Sequence, residues 1–328
     1  MKKVTAGRDA LGDFAPKFAE LNDDVLFGEV WSREDKLPAR DRSIVTVTAL
    51  MASGVLDSSL AFHIGEAKKN GITKERRKHM VARLEIKLAA KEPLSNQMAS
   101  VFQGVLMELL PEKYAAYLHE SSLHPYSQHL EMKDKCWYWV INCLNQEATE
   151  IILMNVLMKK NSIMLKKQKL EVKFTEKRYS ELGDKELLHN FYNEEKSRYL
   201  NLHFITPTAF KQAGKYLFYP DLRCMYQSCM NKYDAVMKDE SMIDEETLEQ
   251  LCENSRVIRY DLKSVPFHLE GIKIPAFIGK ITIKLTGTQT LANFAHLLLQ
   301  FGTYSGIGIK TAIGMGAVKI LDEGRRRE

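Results

Sequence analysis

One segment, Phe301–Ile320, constrains the fold of this 328-residue chain more than any other. It reads FGTYSGIGIKTAIGMGAVKI and holds Gly302, Gly306, Gly308, Gly314 and Gly316. Glycine is costly in ordered backbone and is kept where φ must be positive or another group must approach the main chain. Thr290–Phe301 before it has apolar residues at helical spacing, and Ala317–Leu321 reads as a short strand after it. A glycine-rich loop between helix and strand forms a concavity of backbone N–H groups suited to phosphate, and Lys310 adds a point charge. Gly306, Gly308, Lys310, Gly314 and Gly316 are therefore candidate anion-binding positions. The competing reading is a glycine-rich hairpin with structural glycines only.

The elements before this loop form a repeated order. Val81–Ala89 alternates apolar and polar residues as a strand does, and Gln97–Leu110 is an amphipathic helix with Met98, Phe102, Val105, Leu106 and Leu109 on one face. His129–Ile141 reads as β structure, Ala148–Lys159 as a helix and Leu170–Phe174 as a closing strand, giving the ferredoxin-like order β-α-β-β-α-β. The order recurs: strand Tyr199–Thr206, helices Asp221–Lys238 and Asp244–Asn254, a hairpin of Val257–Leu269 and Ile272–Leu285, helix Thr290–Phe301, and the last strand. Ser180–Ser197, charged and helix-forming, reads as a connector. The expected class is α+β: two tandem ferredoxin-like (RRM-like) domains at 80–197 and 198–328, preceded by a small all-α segment at 1–79.

In that first segment Phe18, Leu21, Val25, Leu26 and Val30 recur at helical spacing. A second apolar face runs through Ile44, Val45, Ala49, Leu50 and Met51; Pro38 precedes it and Gly71 ends a third helix, Ser59–Asn70. Arg40–Thr73, above all FHIGEAKKNG, resembles the carboxymuconolactone decarboxylase family, which includes the AhpD-like thiol peroxidases. The resemblance implies a small helical unit of a kind that oligomerises, so a homo-oligomer is one expected partner. His63 falls on the family's histidine. The redox branch needs a CxxC just before it, which this region lacks, so no thiolate exists for peroxidase or disulfide chemistry. The resemblance stops abruptly at Glu75, and Arg76-Arg77-Lys78-His79-Met80 follows. This junction marks residues 1–79 as a truncated fusion partner, joined by cloning or in a natural gene.

Bulk properties exclude several classes. No apolar run reaches the ~20 residues a membrane helix needs; Ile151–Met158 is the longest. The N-terminus lacks a signal-peptide pattern, so a cytoplasmic protein without a membrane partner is expected. Cys136, Cys143, Cys224, Cys229 and Cys252 form no CxxC pair and read as reduced structural thiols. Net charge is +5 with a pI near 8.7, which permits a polyanionic partner without requiring one. No HExxH, Walker A or Cys/His cluster appears, so neither metal nor cofactor is expected.

GIGIKTAIGMG resembles the C-terminal glycine-rich loop of the CRISPR-associated RAMP superfamily. Phe204–Asp221 (FITPTAFKQAGKYLFYPD) and Ala115–Glu120 (AAYLHE) resemble its repeat-cleaving endoribonuclease branch. The resemblance spans nearly all of residues 80–322. It implies an enzyme that binds CRISPR repeat RNA in precursor guide RNA and cuts it once, without metal. Attack by the ribose 2′-OH would leave a 2′,3′-cyclic phosphate and a 5′-OH. Further subunits of a CRISPR effector complex are implied as partners. His119 matches the position of the catalytic histidine, and an imidazole suits either proton role near neutrality. Two departures qualify this: a tyrosine that some relatives carry on the first helix is replaced by Met107, and a lysine after the histidine has no counterpart in Ser121–Pro125. His124, Tyr117 or Tyr126 would fill that role, with surface or core filling as the alternative for each. His129 is a weaker candidate. Lys159-Lys160, Lys166-Lys167, Lys169, Lys173, Lys177 and Arg178 concentrate charge around one hairpin. Lys173, Lys177 and Arg178 are thus candidate RNA contacts, against the alternative of a solvated face. The rival function is a non-catalytic RAMP subunit that holds guide RNA.

Overall fold

The computed structural model describes residues 5–30, 38–52, 58–70, 80–183, 195–236, 243–269 and 271–321. The chain divides into two compact units, Met1–Arg77 and Lys78–Glu328.

The first unit is helical: α1 (Ala6–Leu11), α2 (Pro16–Glu20), a π-type run Leu21–Val30, α3 (Ala39–Ala52) and α4 (Ser58–Lys69). Its buried apolar residues among those described are Ala19 and Ala67, while buried Asp23 accepts the N–H groups of Gly7 and Arg8 at 2.7 and 2.9 Å. Of the expected apolar faces, Phe18, Leu21, Val25, Leu26, Ile44 and Val45 are exposed among the described residues. Gly71 and the junction through His79 lie outside the described residues.

The second unit contains two antiparallel sheets. The first is built from β1 (Met80–Ala90), α5 (Ala99–Leu109), α6 (Glu112–Glu120), β2 (Tyr126–Lys133) and β3 (Cys136–Cys143). It continues through α7, which begins at Gln146–Ala148 and runs on with π-type bonding over Thr149–Val156, to β4 (Ser162–Leu165) and β5 (Leu170–Gly183). Asn145 caps α7 by accepting the Ala148 N–H at 2.9 Å. Asp134 and Lys135, both with positive φ, make the two-residue turn between β2 and β3. Strand order is β2-β3-β1-β5-β4, the ferredoxin-like arrangement with β4 added at one edge. The register sets Leu84 opposite Ile141 and Ile86 opposite Trp139. These side chains meet Phe102, Leu106, Leu118, Ile152 and Leu157 in one core. Each such burial stabilises by roughly 1.5–3 kcal/mol.

The second sheet follows β6 (Tyr199–Thr208), a small hairpin of β7 (Phe210–Gln212) and β8 (Lys215–Leu217), α8 (Leu222–Val236), α9 (Glu245–Glu253), β9 (Ser255–Leu269), β10 (Ile272–Leu285), α10 (Gln289–Ser305) and β11 (Val318–Leu321). Its order, β11-β6-β10-β9, repeats that of the first sheet without the extra edge. Thr288 caps α10 and Asp244 caps α9 through side-chain oxygens. Leu200, Leu202 and Phe204 alternate inward onto Tyr226, Phe277, Ile281, Leu298 and Leu299.

Two expectations change. The closing strand of the first sheet does not stop at Phe174, because β5 continues to Gly183 along the whole of β1, with a register shift at Lys87/Leu88. Ser180–Gly183 therefore belongs to a strand, and residues 184–194 of the expected connector lie outside the described residues.

Candidate active site

Proline 111 starts α6, and Tyr114 and Leu118 turn its apolar face into the core. Tyr117 and His119, two positions apart and so on different flanks of the helix, are both exposed. After Glu120 the chain turns extended at Ser121, whose hydroxyl donates to the Tyr117 carbonyl at 2.8 Å, and residues 121–125 lead into β2. His124 sits half-buried in that stretch, its ring 5.7 Å from that of Tyr126. Its Nδ1 is buried with no hydrogen-bond partner. Burial, and then the charge of His119, hold its pKa below the ordinary histidine value.

Ser122, Leu123 and His124 form one wall of a cleft of about 590 Å³. The second domain supplies the rest: Lys211 and Tyr216 from the small hairpin, Cys224, Gln227, Ser228, Asn231 and Lys232 from one face of α8, and Gly308–Ile313 from the glycine-rich loop. The two regions singled out from sequence, represented by His124 and Lys310 and 186 positions apart, thus share one cavity in part. His124 and Lys310 line it; His119 and Tyr117 are on the preceding helix and are not among the lining residues.

The glycine-rich loop is held from several sides. Its Gly306, Gly308, Gly314 and Gly316 all have positive φ. At Gly308 a Cβ would stand 2.4 Å from the Ala209 carbonyl oxygen, and at Gly314 it would stand 2.3 Å from Ala99 Cβ of α5. Gln128, fully buried on β2, donates to the carbonyls of Ala99 and Ala312 at 3.0 and 3.1 Å and accepts from Trp139 Nε1 at 2.9 Å. Lys232 donates to the carbonyls of Gly306 and Gly308, at 2.9 Å each. The loop is therefore a seam between the domains as well as a wall of the cleft.

Several candidate positions change meaning. The N–H of Gly308 donates to Ser228 Oγ at 2.9 Å and that of Gly316 to the Pro207 carbonyl at 3.0 Å, so these two groups are already committed within the protein. Gly306 and Gly314 are buried; Lys310 is exposed, with left-handed backbone. Tyr126 is no surface hydroxyl: it is 1% exposed, its OH lies 3.8 Å from Met107 Sδ, and burial pushes its pKa up to about 12. His129 is buried, its Nε2 has no partner, and burial takes its pKa down to about 3, which suits a neutral core group. Of the basic cluster on β5, Lys173 is exposed. Lys177 donates to the carbonyl of Met158 at 2.8 Å and to that of Lys160, and Arg178 pairs with Glu176 at 2.6 Å. Lys177 is therefore a cap on the end of a helical segment more than a free cation.

Sequence reasoning missed Gln128, Ser228 and Lys232. Ser228 and Lys232 stand four apart on one helix face, a spacing that singles out a shared surface but not what it holds.

Residues 202–318 match the sequence profile described as CRISPR-associated endoribonuclease Cas6, and residues 16–86 match that of the carboxymuconolactone decarboxylase family. The second match runs past Glu75 into β1. The chain is 36% identical over 226 residues to the CRISPR-associated endoribonuclease Cas6 of Streptococcus thermophilus, covering 69% of this chain and 92% of the relative. Over 114 residues it is 35% identical to the 4-carboxymuconolactone decarboxylase of Acinetobacter baylyi, covering 34% of this chain and 82% of the relative. Among solved structures, a Cas6 (TTHA0078) product complex superposes with a TM-score of 0.60 at 20% identity, covering 74% of this chain and 99% of that one.

Proposed function

The chain belongs to the CRISPR-associated endoribonuclease Cas6 family, with a carboxymuconolactone decarboxylase segment at its N-terminus, and we propose that it cuts precursor CRISPR RNA within its repeats by a metal-independent transesterification. The ribose 2′-OH attacks the adjacent phosphorus, the 5′-oxygen leaves, and the products are a 2′,3′-cyclic phosphate and a 5′-OH.

The observation that carries this reading is the shared cleft: a histidine with a buried, unpartnered nitrogen faces the same cavity as the cationic glycine-rich loop. Such a reaction needs a base for the 2′-OH proton, an acid for the leaving oxygen and positive charge for the phosphorane. His124, kept neutral by its surroundings, suits the base. His119, exposed at the end of α6, suits the acid and would meet RNA that overhangs the cleft rim. Lys310 and Lys211 supply charge. Tyr117, exposed on the flank of α6 beside Tyr114 and about 200° around the helix from His119, remains a candidate phosphate contact.

The test is incubation of repeat RNA with the full chain in excess EDTA, followed by mapping of both new ends. One cut with a cyclic phosphate is expected. A strict need for Mg²⁺, or a 3′-OH product, would overturn the mechanism.

A further inference from the structure

The cleft contains a buried cation that no acid among the described residues neutralises. Lys232 is 6% exposed, and its two acceptors are the neutral carbonyls of Gly306 and Gly308. These satisfy two of its three N–H groups but leave its charge uncompensated, and a charge kept from water without a counter-ion is expensive. Among the described residues, the ionisable neighbour that acts on it is Cys229, next to it in the core, and burial pushes that thiol up to about 12 and so keeps it neutral. The other titratable groups that line the cavity are Lys211 and Tyr216 from the small hairpin, Cys224 from α8, Lys310 from the loop and His124 from the first domain. None of them supplies a negative charge near neutral pH: the Cys224 thiol too is pushed up, to about 12.

We propose that the ammonium of Lys232 completes an anion site on the floor of the cleft, where one RNA phosphate lies between Lys232 and Lys310. The inference rests on the RNA-cleaving reading of this cleft. The missing counter-ion is then the substrate itself, and the loop that Lys232 holds is set in place by the same charge that receives the phosphate. The carbonyl contacts account for the geometry of the loop. They do not account for a cation there, since a neutral amide would serve two carbonyls at lower desolvation cost.

The titration of Lys232 makes the idea measurable. Burial takes its pKa down to about 8 in the free protein, and a phosphate beside it favours the charged form and raises that value. Binding therefore takes up a proton above pH 8, and affinity falls as pH climbs from about 8 towards the ordinary lysine range.

The experiment uses the full chain and repeat RNA carrying 2′-O-methyl groups, which lacks the attacking hydroxyl. Calorimetry at pH 8.5 in two buffers of different ionisation enthalpy reads proton uptake, and affinity is followed from pH 7 to 9.5. The parent should take up a large fraction of one proton and lose affinity by up to about tenfold per pH unit, the linkage limit for one site. A folded Lys232→Met protein, which keeps the aliphatic stem, should bind more weakly at pH 7.5 and show neither effect. Proton uptake in folded Lys232→Met equal to the parent's would overturn the proposal, and so would parental affinity flat across pH with no uptake. If the variant does not fold, the parental profile alone decides. If the RNA fails to bind at any pH, sulfate is titrated instead. Proton uptake on sulfate binding then supports the site and sinks the RNA reading, while none overturns the site as well.

Discussion

Gln128 on the first sheet donates from Nε2 to the carbonyl of Ala312 in the glycine-rich loop of the second, at 3.1 Å and away from water. The same amide reaches Ala99 and Trp139, so one side chain serves three buried partners across the two domains.

Replacing Gln128 by Leu leaves the carbonyls of Ala99 and Ala312 and the indole N–H of Trp139 without their partner. Unsatisfied buried groups cost about 1–3 kcal/mol each, and partial relaxation makes roughly 2–5 kcal/mol the expected loss. Urea denaturation of the variant and parent at pH 7 measures it. A loss under about 1 kcal/mol would show that water or a rearranged loop replaces the amide.

His119→Ala and His124→Ala should each slow single-turnover cleavage by about 10²–10⁴-fold while RNA affinity stays close to that of the parent. Burial holds His124 below the ordinary histidine pKa. A base must be deprotonated to act, so the parental rate should hold down through pH 6.5 and drop only at more acid values. That acid limb should vanish in His124→Ala. Parental rates in both variants would move the chemistry elsewhere.

Acid should destabilise the fold through His129. Its pKa falls from 6.5 in the unfolded chain to about 3 in the folded one, so below pH 6.5 the unfolded state binds the proton and the folded state does not. Stability is therefore full above 6.5 and declines as pH drops towards 3, by up to about 1.4 kcal/mol per unit. His124 and His203, also lowered by burial, act in the same direction. Glu131, whose carboxylate is favoured against its burial by Lys133 and Lys319, adds its own loss only below 4.5. Urea midpoints at pH 7, 6 and 5 should show a shallower slope for His129→Gln than for the parent, and equal slopes would refute the assignment.

Removing residues 1–79 should leave repeat cleavage nearly unchanged, because the cleft is formed within Lys78–Glu328. Loss of activity in a folded, soluble truncation would give the helical unit a part in RNA binding.

Much of this was legible in the sequence. Alternation in Val81–Ala89 and Ile272–Leu285 fixed strands that appear with nearly those limits, and the five glycines located the loop. What alternation could not convey is what the glycines face: the absent Cβ of Gly314 makes room for Ala99, a contact between residues far apart in the chain. Tyr126 and His129 looked available because polar tips on a strand carry no mark of which sheet face they join; in the structure Tyr126 joins the core with Phe102 and Leu106 of α5, while His129, on the other face of β2, is buried near Glu131, Arg83 and Lys319. Lys232 was hidden for the opposite reason. A lysine on an amphipathic helix reads as solvated, and only the carbonyls of a loop folded back over it disclose a buried charge. The helical unit shows the limit of periodicity: Phe18 and Leu26 repeat at the right spacing and are nonetheless exposed among the described residues.

The seam at Gln128 and Gly314 also makes the cleft a site that requires both halves at once. The imidazoles come from before residue 183 and the ammonium groups from after residue 195, so neither half alone holds a complete set. If the second unit is expressed as two separate polypeptides, each should be inert, and mixing them should restore cutting only to the extent that the seam re-forms. Cleavage then reports domain docking directly, and mutations far from RNA that loosen that joint will read as catalytic defects although no reacting group has been touched.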